Sequence, residues 1–460
     1  MKSGRTVAKF DSSITPRRGT DINAVCEPMS SVETFSTAWN AHRRTVTSES
    51  HFKLRGMSRL LGAVLCVVGF VAQATPCDAG CDVVLTGNAR KNVNGAALRG
   101  GETVCLSAGS VSDVWIHDVK PDAGVVTVRA CDGTLRIAGG TNVAITAQDV
   151  SWLRITGDDG DGGRALIIDG TDAGYVIGVS LGGCAQHVEL DHLEVFGTSY
   201  TSLRHGSEEA ACPVQRGLFV HDNWFHDVGG EGLFVGMNKE PTSFTWEDVE
   251  IARNVIERPG YQGLKVGQVK NVWMHDNVIV AAGSRNVAGE DTGFPIGPRV
   301  EGVIERNVVL GAQRDCVAIG GRDAKLTVKN NLLVDCGNAG IMLGGVGHSS
   351  ERRIDLVFNT IVRPAADGVL DWSAGDGAGV VANNLVVDVP TNKAAVAVKP
   401  NFDAVGNLKS ASAVDAFTST DEGEPRAVAN RCVSPGAECG ARVDGGGARG
   451  SSGVAPRHHA

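Results

Sequence analysis

The sequence predicts an all-β fold, a parallel β-helix (solenoid) of about a dozen coils. Three observations support this: asparagine-marked segments recur along the chain, short strands accompany each of them, and the composition excludes the helical alternatives. Of the 460 residues, 60 are glycine and only 5% are aromatic. Glycine interrupts helices and a helical bundle needs many large side chains, so a bundle is excluded. Apolar residues still make up 42% of the chain, enough for a substantial core.

The repeated segment has an aliphatic residue, two variable residues, asparagine and an apolar run. A period of roughly 20–50 residues indicates a solenoid or a propeller. Most of the asparagines follow aliphatic residues at three and five positions earlier, which is the alternation of a strand with one buried face. The asparagines are 23 to 31 residues apart, at Asn223, Asn254, Asn277, Asn307, Asn331, Asn359 and Asn384.

A second short strand follows each asparagine segment, and most of these strands begin with glycine. No helix-length amphipathic stretch separates the strands, which excludes βαβ crossovers, and WD-type blades need about 40 residues per unit. Two or three short strands per ~25 residues fit one turn of a parallel β-helix. We expect the asparagines to stack at one corner and to hydrogen-bond along the column. The second strands are EGLFVG, QGLKVG, TGFPIG, DCVAIG, AGIMLG and DGVLDW.

The chain divides into four segments. Residues 57–74 combine a basic start, an apolar run of 13 residues and an Ala-x-Ala site, which is typical of a secretory signal peptide and too short to span a membrane. Residues 1–56 are interpreted as an extension from a start codon placed too early, the alternative being a long signal region. Residues 75–410 are predicted to form the β-helix domain, and residues 411–460 a flexible Gly/Ser-rich tail. We expect a monomer that is secreted, or located at the cell surface or in the periplasm.

Ten cysteines remain after residue 74, an even number that indicates disulfides in an oxidising compartment. Metal ligation is the weaker alternative, because no paired CxxC or Cys/His spacing occurs. Their spacing suggests the pairs Cys105/Cys131, Cys184/Cys212, Cys316/Cys336, Cys77/Cys81 and Cys432/Cys439.

Charge distribution locates a candidate site on the middle coils. The formal net charge of −9 gives no basic field, so nucleic acid is excluded as a partner. Lys265 is the one charge among the outward positions of the second strands, which are Phe234, Lys265, Pro295, Ala318, Met342 and Leu370. A solvated surface lysine is the alternative interpretation. However, charged residues and a long insertion at 283–293 surround it, and this clustering predicts a side cleft.

Residues 82–405 resemble the pectate-lyase-like, right-handed parallel β-helix superfamily through their G-[IV]-x-[LIV] and N-x-[IV] coil motifs. The segment NVWMHDN (271–277) is similar to the tryptophan-aspartate-histidine strand of pectate lyases, but with the His and Asp order reversed. Trp273 and His275 are therefore expected to make surface contacts on the outer face. The polygalacturonase signatures are absent, which disfavours paired-carboxylate hydrolysis. The Asp-Pro-His signature of alginate epimerases is absent as well.

The resemblance implies a lyase that cleaves a uronate-containing, acidic polysaccharide by β-elimination. It implies Lys265 as the base, Arg299 or Arg258 as the group that neutralises the uronate carboxylate, and a Ca²⁺ cofactor. The candidate substrate-binding residues are His226, Tyr261, Arg285 and Arg314. The candidate calcium ligands are Asp227, Glu231, Glu257, Glu290 and Asp291. The alternative is a non-catalytic glycan-binding or adhesion protein on the same fold.

Overall fold

The computed structural model describes residues 77, 80–160, 163–172, 174–205, 212–238, 244–345, 352–374, 377–411, 417–419 and 425–427. The predicted extension 1–56, the signal peptide 57–74 and the pair Cys432/Cys439 lie outside these residues. Within the predicted tail, Phe417–Ser419 pairs with Pro425–Ala427 as a short antiparallel ladder. The described residues contain one 3₁₀ helix, Gly95–Ala97, and otherwise strands. None of the described helices has the length and apolarity needed to cross a membrane.

Parallel strands stack into three faces. The twelve-strand face has one strand per coil, which gives about eleven complete turns and confirms the predicted solenoid. Its strands are Lys91–Asn94, Val114–His117, Thr141–Gln148, Gly174–Gly182, Thr201–His205, Leu233–Gly236, Leu264–Gly267, Phe294–Ile296, Val317–Ile319, Ile341–Leu343, Val369–Asp371 and Val396–Ala397.

The other 23 strands form one parallel sheet with two faces, joined by the long strand Val126–Ile137, which pairs with both. The long-strand face consists of Val83–Leu85, Thr103–Val111, Val126–Ile137, Ser151–Thr156, Gln186–Asp191, Val214–His221, Thr245–Ala252, Val269–His275, Glu301–Glu305, Lys325–Lys329, Arg353–Val357, Gly379–Ala382 and Phe402–Val405. The short-strand face consists of Leu166–Asp169, Leu193–Phe196, Trp224–His226, Val255–Glu257, Val278–Val280, Val308–Leu310, Leu332–Val334, Thr360–Val362, Leu385–Val387 and Leu408–Ser410.

Alternating side chains fill the interior of the solenoid. In Val214–His221, for example, Leu218 and Val220 are fully buried while Phe219 between them faces outward. In-register parallel pairing repeats this pattern on each coil, because Leu218 lies opposite Val249 and Val220 opposite Ile251. A single apolar core therefore runs along the axis, which explains how short strands remain stable without helices.

The predicted asparagine ladder is present at the corner between the long-strand and short-strand faces. All seven asparagines are at most 1% exposed. Each one from Asn254 onward accepts hydrogen bonds through its side-chain oxygen from the asparagine one coil earlier. Asn407 extends the column by one further coil.

The structure corrects part of the predicted disulfide pattern. Cys184–Cys212 and Cys316–Cys336 are formed as expected. The predicted pairs Cys77/Cys81 and Cys105/Cys131 are wrong, because the bonds formed at the first coils are Cys77–Cys131 and Cys81–Cys105. In-register pairing places Cys131 opposite Ser107, two residues beyond Cys105. The two cysteines are thus offset along adjacent strands, and each bonds to the segment at the start of the described chain.

Candidate functional site

A groove of about 560 Å³ lies over the twelve-strand face on the middle coils. Register pairs confirm the outward column, because Phe234 lies opposite Lys265 and Pro295 opposite Ala318. The groove is lined by Asn238, Gln262, Lys265, Gly289, Glu290, Thr292, Pro295, Ile296, Gly297, Pro298, Arg314, Ala318, Gly320, Gly321, Arg322, Met342 and Gly345.

Lys265 lies at one end of the groove between two carboxylates. Its Nζ is 3.3 Å from Oε1 of Glu231 and 3.7 Å from Oε2 of Glu290. Gln262 accepts a further hydrogen bond from it at 3.3 Å, and the ammonium lies 5.1 Å from the centre of the Phe234 ring. The Lys265 side chain is only 13% exposed. Lys265 is therefore a mostly buried, fixed cation, and the interpretation as a solvated surface lysine is wrong.

Tyr200 completes this cluster from the preceding coil. Its hydroxyl donates to Oε1 of Glu231 at 3.3 Å. Burial and the Glu231 charge raise the pKa of Tyr200 to about 12, so the phenol keeps its proton at neutral pH. Sequence reasoning missed Tyr200. Leu203 lies opposite Leu233 on the next coil, so TSLR (201–204) aligns with EGLF (231–234). This alignment brings Tyr200, the residue before TSLR, close to Glu231 and would have identified it.

Basic residues outnumber acidic ones on the groove walls. Lys265, Arg314 and Arg322 line the groove, and Glu290 is the acidic residue among its lining. Arg314 also lies 3.2 Å from Oδ2 of Asp315, a fully buried carboxylate. This local excess of cations contrasts with the net negative charge of the whole chain and suits an anionic ligand.

Four predicted site residues lie in a different cluster, at the corner between the short-strand and twelve-strand faces. Arg258 binds both oxygens of Asp227 at 2.7 Å and Glu257 at 3.2 Å. This pairing lowers the pKa of Asp227 and holds its carboxylate as an anion. His226 bonds to Asp227 at 2.9 Å. Arg258 is thus held by its own carboxylates and does not line the groove.

The His226 cluster is one of three similar units in which an aromatic-x-His-Asp segment is paired with a Glu and an Arg; a fourth such segment, at 115–118, has Asn92 in place of the Glu. The other two begin at Phe219 and Trp273. In each, the His contacts the following Asp and a Glu on the preceding coil, and an Arg on the next coil clamps the Asp. Because the unit recurs on different coils, its chief role is to tie neighbouring coils together.

Trp273 and His275 differ partly from expectation. Trp273 is 41% exposed, as predicted for an outer-face residue. His275 is only 4% exposed, because Trp273 stacks on it with ring centres 3.8 Å apart and Glu250 and Asp276 flank it. His275 thus makes its contacts on the outer face, as expected, but it lies beneath Trp273 and is shielded from solvent.

Three further predicted residues lie near the groove but do not line it: Tyr261, Arg285 and Arg299. Arg285 packs over the Tyr261 ring at 5.5 Å and donates to the Gly229 carbonyl at 3.1 Å. The backbone N–H of Arg299 donates to the Arg322 carbonyl, one coil further along.

The five predicted calcium ligands do not form a single site. Asp227 and Glu257 are held by Arg258, whereas Glu231 and Glu290 flank the Lys265 ammonium. Among the described residues, no three of the five bring ligand atoms within 4.8 Å of one another. A calcium ion bound by Asp227 and Glu257, or by Glu231 and Glu290, would have to displace Arg258 or Lys265, so the five residues do not fit one Ca²⁺ site.

No known family profile and no curated protein matches the sequence. Among solved structures, the chain is similar to the PL6 family alginate lyase AlyGC, with a TM-score of 0.51 and 16% identity; the match covers 74% of this chain and 55% of that lyase. It also resembles the A-module of mannuronan C-5 epimerase AlgE6 from Azotobacter vinelandii, with a TM-score of 0.40, 16% identity and coverage of 68% and 92%. A third neighbour is the GH136 lacto-N-biosidase from Eubacterium ramulus, with a TM-score of 0.48, 12% identity and coverage of 70% and 67%.

These likenesses concern the fold. The architecture is that of the right-handed parallel β-helix, as in the alginate lyase AlyGC. The chain therefore has the pectate-lyase-like β-helix fold that its coil motifs predicted. The fold alone does not determine the activity, because one fold carries several chemistries.

Proposed function

We propose that the chain is an exported polysaccharide lyase that cleaves a uronate-containing glycan by β-elimination in the groove. One observation carries the proposal: Lys265 is fixed at the end of a groove that is lined by three basic side chains and one carboxylate. A polyanion would be repelled by most of this acidic chain, so a local cationic surface is what such a substrate needs. The four disulfides fit export to an oxidising compartment.

β-Elimination on a uronate requires neutralisation of the carboxylate and removal of the adjacent proton. We assign the first role to Arg314, with Arg322, because both line the groove. Arg258 is held by Asp227 and Glu257, and Arg299 does not line the groove. This replaces the two arginines that the resemblance implied.

Lys265 is the proposed base. In the proposed step the Lys265 amine takes the proton next to the uronate carboxylate, the C–O bond to the leaving sugar breaks as the double bond forms, and the resulting ammonium returns the proton to the departing oxygen. Glu231 and Glu290 hold the Nζ of Lys265 in place. Tyr200 stays protonated and donates to Glu231, which fixes that carboxylate beside the lysine. Because the predicted calcium ligands do not form one site, no step is assigned to a metal.

A non-catalytic glycan-binding or adhesion protein is the second candidate. The contacts of Lys265 favour it, because an ammonium held by two carboxylates and an amide is a stable structural group. In that case the cationic groove would bind an acidic glycan without cleaving it.

The test is a lyase assay on pectate, alginate and glycosaminoglycans, each with and without EDTA. Cleavage creates a carbon–carbon double bond conjugated with the carboxylate, which is followed by ultraviolet absorbance. Arg314→Gln is expected to lower kcat/KM at least tenfold, whereas Arg216→Gln, on the long-strand face, should have no effect. Binding without any rise in absorbance on all substrates would contradict the lyase and support the binding protein.

A further inference from the structure

Trp372 lies one coil beyond the last residues that line the groove. It is 69% exposed, more than any other large apolar side chain of the described residues. Leu370 pairs with Met342 and Asp371 with Leu343, so Trp372 follows in register with Gly344. Its backbone N–H donates to the Leu343 carbonyl at 2.7 Å. The indole therefore projects outward at the end of the groove opposite Lys265.

A single exposed indole needs no partner by itself, but Trp372 stands at the end of a groove that has a cationic lining, where a bound glycan would reach it. The flat, electron-rich face of tryptophan packs well on the C–H face of a sugar ring. The preceding coils offer no such surface, because Gly297, Gly320 and Gly344 occupy the corresponding outward positions.

Gly320 lies on the groove floor at a position where packing does not require glycine. A Cβ built at this position meets no heavy atom within 4 Å, and the Gly320 backbone lies outside the left-handed region. Gly297 differs, because a Cβ there would lie 2.4 Å from Oδ1 of Asn238. Neither the backbone nor the neighbours require glycine at position 320, whereas a side chain there would project into the groove.

The spacing of the coils sets the length of chain that the groove holds. The outward position of the twelve-strand face is occupied on five successive coils by Lys265, Pro295, Ala318, Met342 and Leu370. Four steps of about 4.8 Å place Trp372 roughly 19 Å along the axis from Lys265. That distance accommodates several consecutive sugar rings.

We infer that the groove binds an extended run of an acidic glycan parallel to the solenoid axis, with one sugar ring stacked on Trp372 at the end remote from Lys265. This inference rests on the proposed function, since it takes the groove's glycan as the ligand. Trp372 is a substrate-positioning residue: it contributes affinity for long chains and touches no reacting atom.

The test compares Trp372→Ala and Gly320→Leu with the wild-type chain in native gels containing soluble alginate or polygalacturonate. Trp372→Ala is expected to weaken retardation roughly tenfold in apparent Kd. Gly320→Leu should weaken it at least as much with an unchanged Tm, because its side chain enters open space. Trp273→Ala, which removes an exposed indole on the long-strand face, is the matched control and should bind as the wild type does.

Cleavage assays separate this inference from the proposed function. If the wild type is a lyase, Trp372→Ala should raise KM on the polymer with kcat within about twofold, and leave a disaccharide or trisaccharide substrate unaffected. A wild-type lyase whose Trp372→Ala variant is unchanged on the polymer would overturn the inference and leave the lyase standing. Binding without cleavage, weakened by Trp372→Ala, would support the inference and overturn the lyase. A wild-type chain that neither binds nor cleaves pectate, alginate or any glycosaminoglycan tested would overturn both.

Discussion

The side-chain oxygen of Asn254 accepts two hydrogen bonds from Asn223, one from its backbone N–H at 3.2 Å and one from its Nδ2 at 2.9 Å. The Nδ2 of Asn254 in turn donates to the Val220 carbonyl at 2.8 Å and to Oδ1 of Asn277 at 3.0 Å. Each amide thus satisfies polar groups on two coils in a corner that water does not reach. The ladder is the polar counterpart of the apolar core.

Asn277→Ala is predicted to destabilise the protein by on the order of 3 kcal/mol or more. In a buried corner, the substitution removes the acceptor of the Asn254 backbone N–H and of one Nδ2 hydrogen of Asn254, and the donor to the Ile251 carbonyl. Urea unfolding followed by circular dichroism measures the loss. Asn407→Ala is the control: Asn407 is the last residue of the ladder and only partly buried, so its replacement should cost clearly less. Equal losses at the two positions would contradict the ladder's role.

Lys265→Met is predicted to remove activity and also to reduce stability. Glu231 is 2% exposed, and removing its cation leaves a buried charge, which costs about 3–5 kcal/mol. Loss of the proposed base lowers kcat at least about a hundredfold. Both are measured on the same preparation, by thermal unfolding and by the absorbance assay, with Lys270→Met at an exposed position as the control.

The double variant Lys265→Met/Glu231→Gln separates the two effects. Replacing Glu231 by its neutral amide removes the buried charge, so most of the stability should return while activity stays absent. Recovery of activity together with stability would exclude Lys265 as the base.

The sequence was sufficient for the fold because the repeat is local. Asn223 and its six counterparts share one pattern, and stacking follows from that pattern alone. The outward column that contains Lys265 was also predictable, because strand alternation fixes which side chains point out. The disulfides of the first coils were not, since the offset between Cys105 and Cys131 depends on the register of neighbouring strands.

The site was only partly predictable for the same reason. Corner residues close in sequence, such as Asp227 and Glu231, seemed to belong to one site. The chain turns between them, so their side chains lie in different clusters: Asp227 binds Arg258 and Glu231 binds Lys265. Conversely, Tyr200 lies 31 residues from Glu231 in sequence but one coil away in space.

His221 is predicted to make stability decline in alkaline solution. Burial alone would lower its pKa, but Asp222 at 2.8 Å and Glu189 at 3.1 Å outweigh that effect and raise the pKa to about 9. The stabilisation is complete below the ordinary pKa of 6.5 and is lost as the pH rises from there through about 9. Unfolding free energies at several pH values measure it. His221→Gln should flatten the curve between these limits, and a parallel curve would show that other groups cause the decline.

His205 is predicted to make stability decline in acid. It lies in the solenoid interior at 0% exposure, where its Nδ1 accepts the indole N–H of Trp246. Burial lowers the pKa of His205 to about 3, from an ordinary value of 6.5. The unfolded chain therefore binds a proton that the folded chain does not, and stability should fall below pH 6.5 by up to ~1.4 kcal/mol per pH unit. His205→Leu should lower stability at neutral pH, because the Trp246 N–H loses its acceptor, yet flatten the acid limb. An acid limb as steep in the variant as in the wild type would assign the decline to the carboxylates instead.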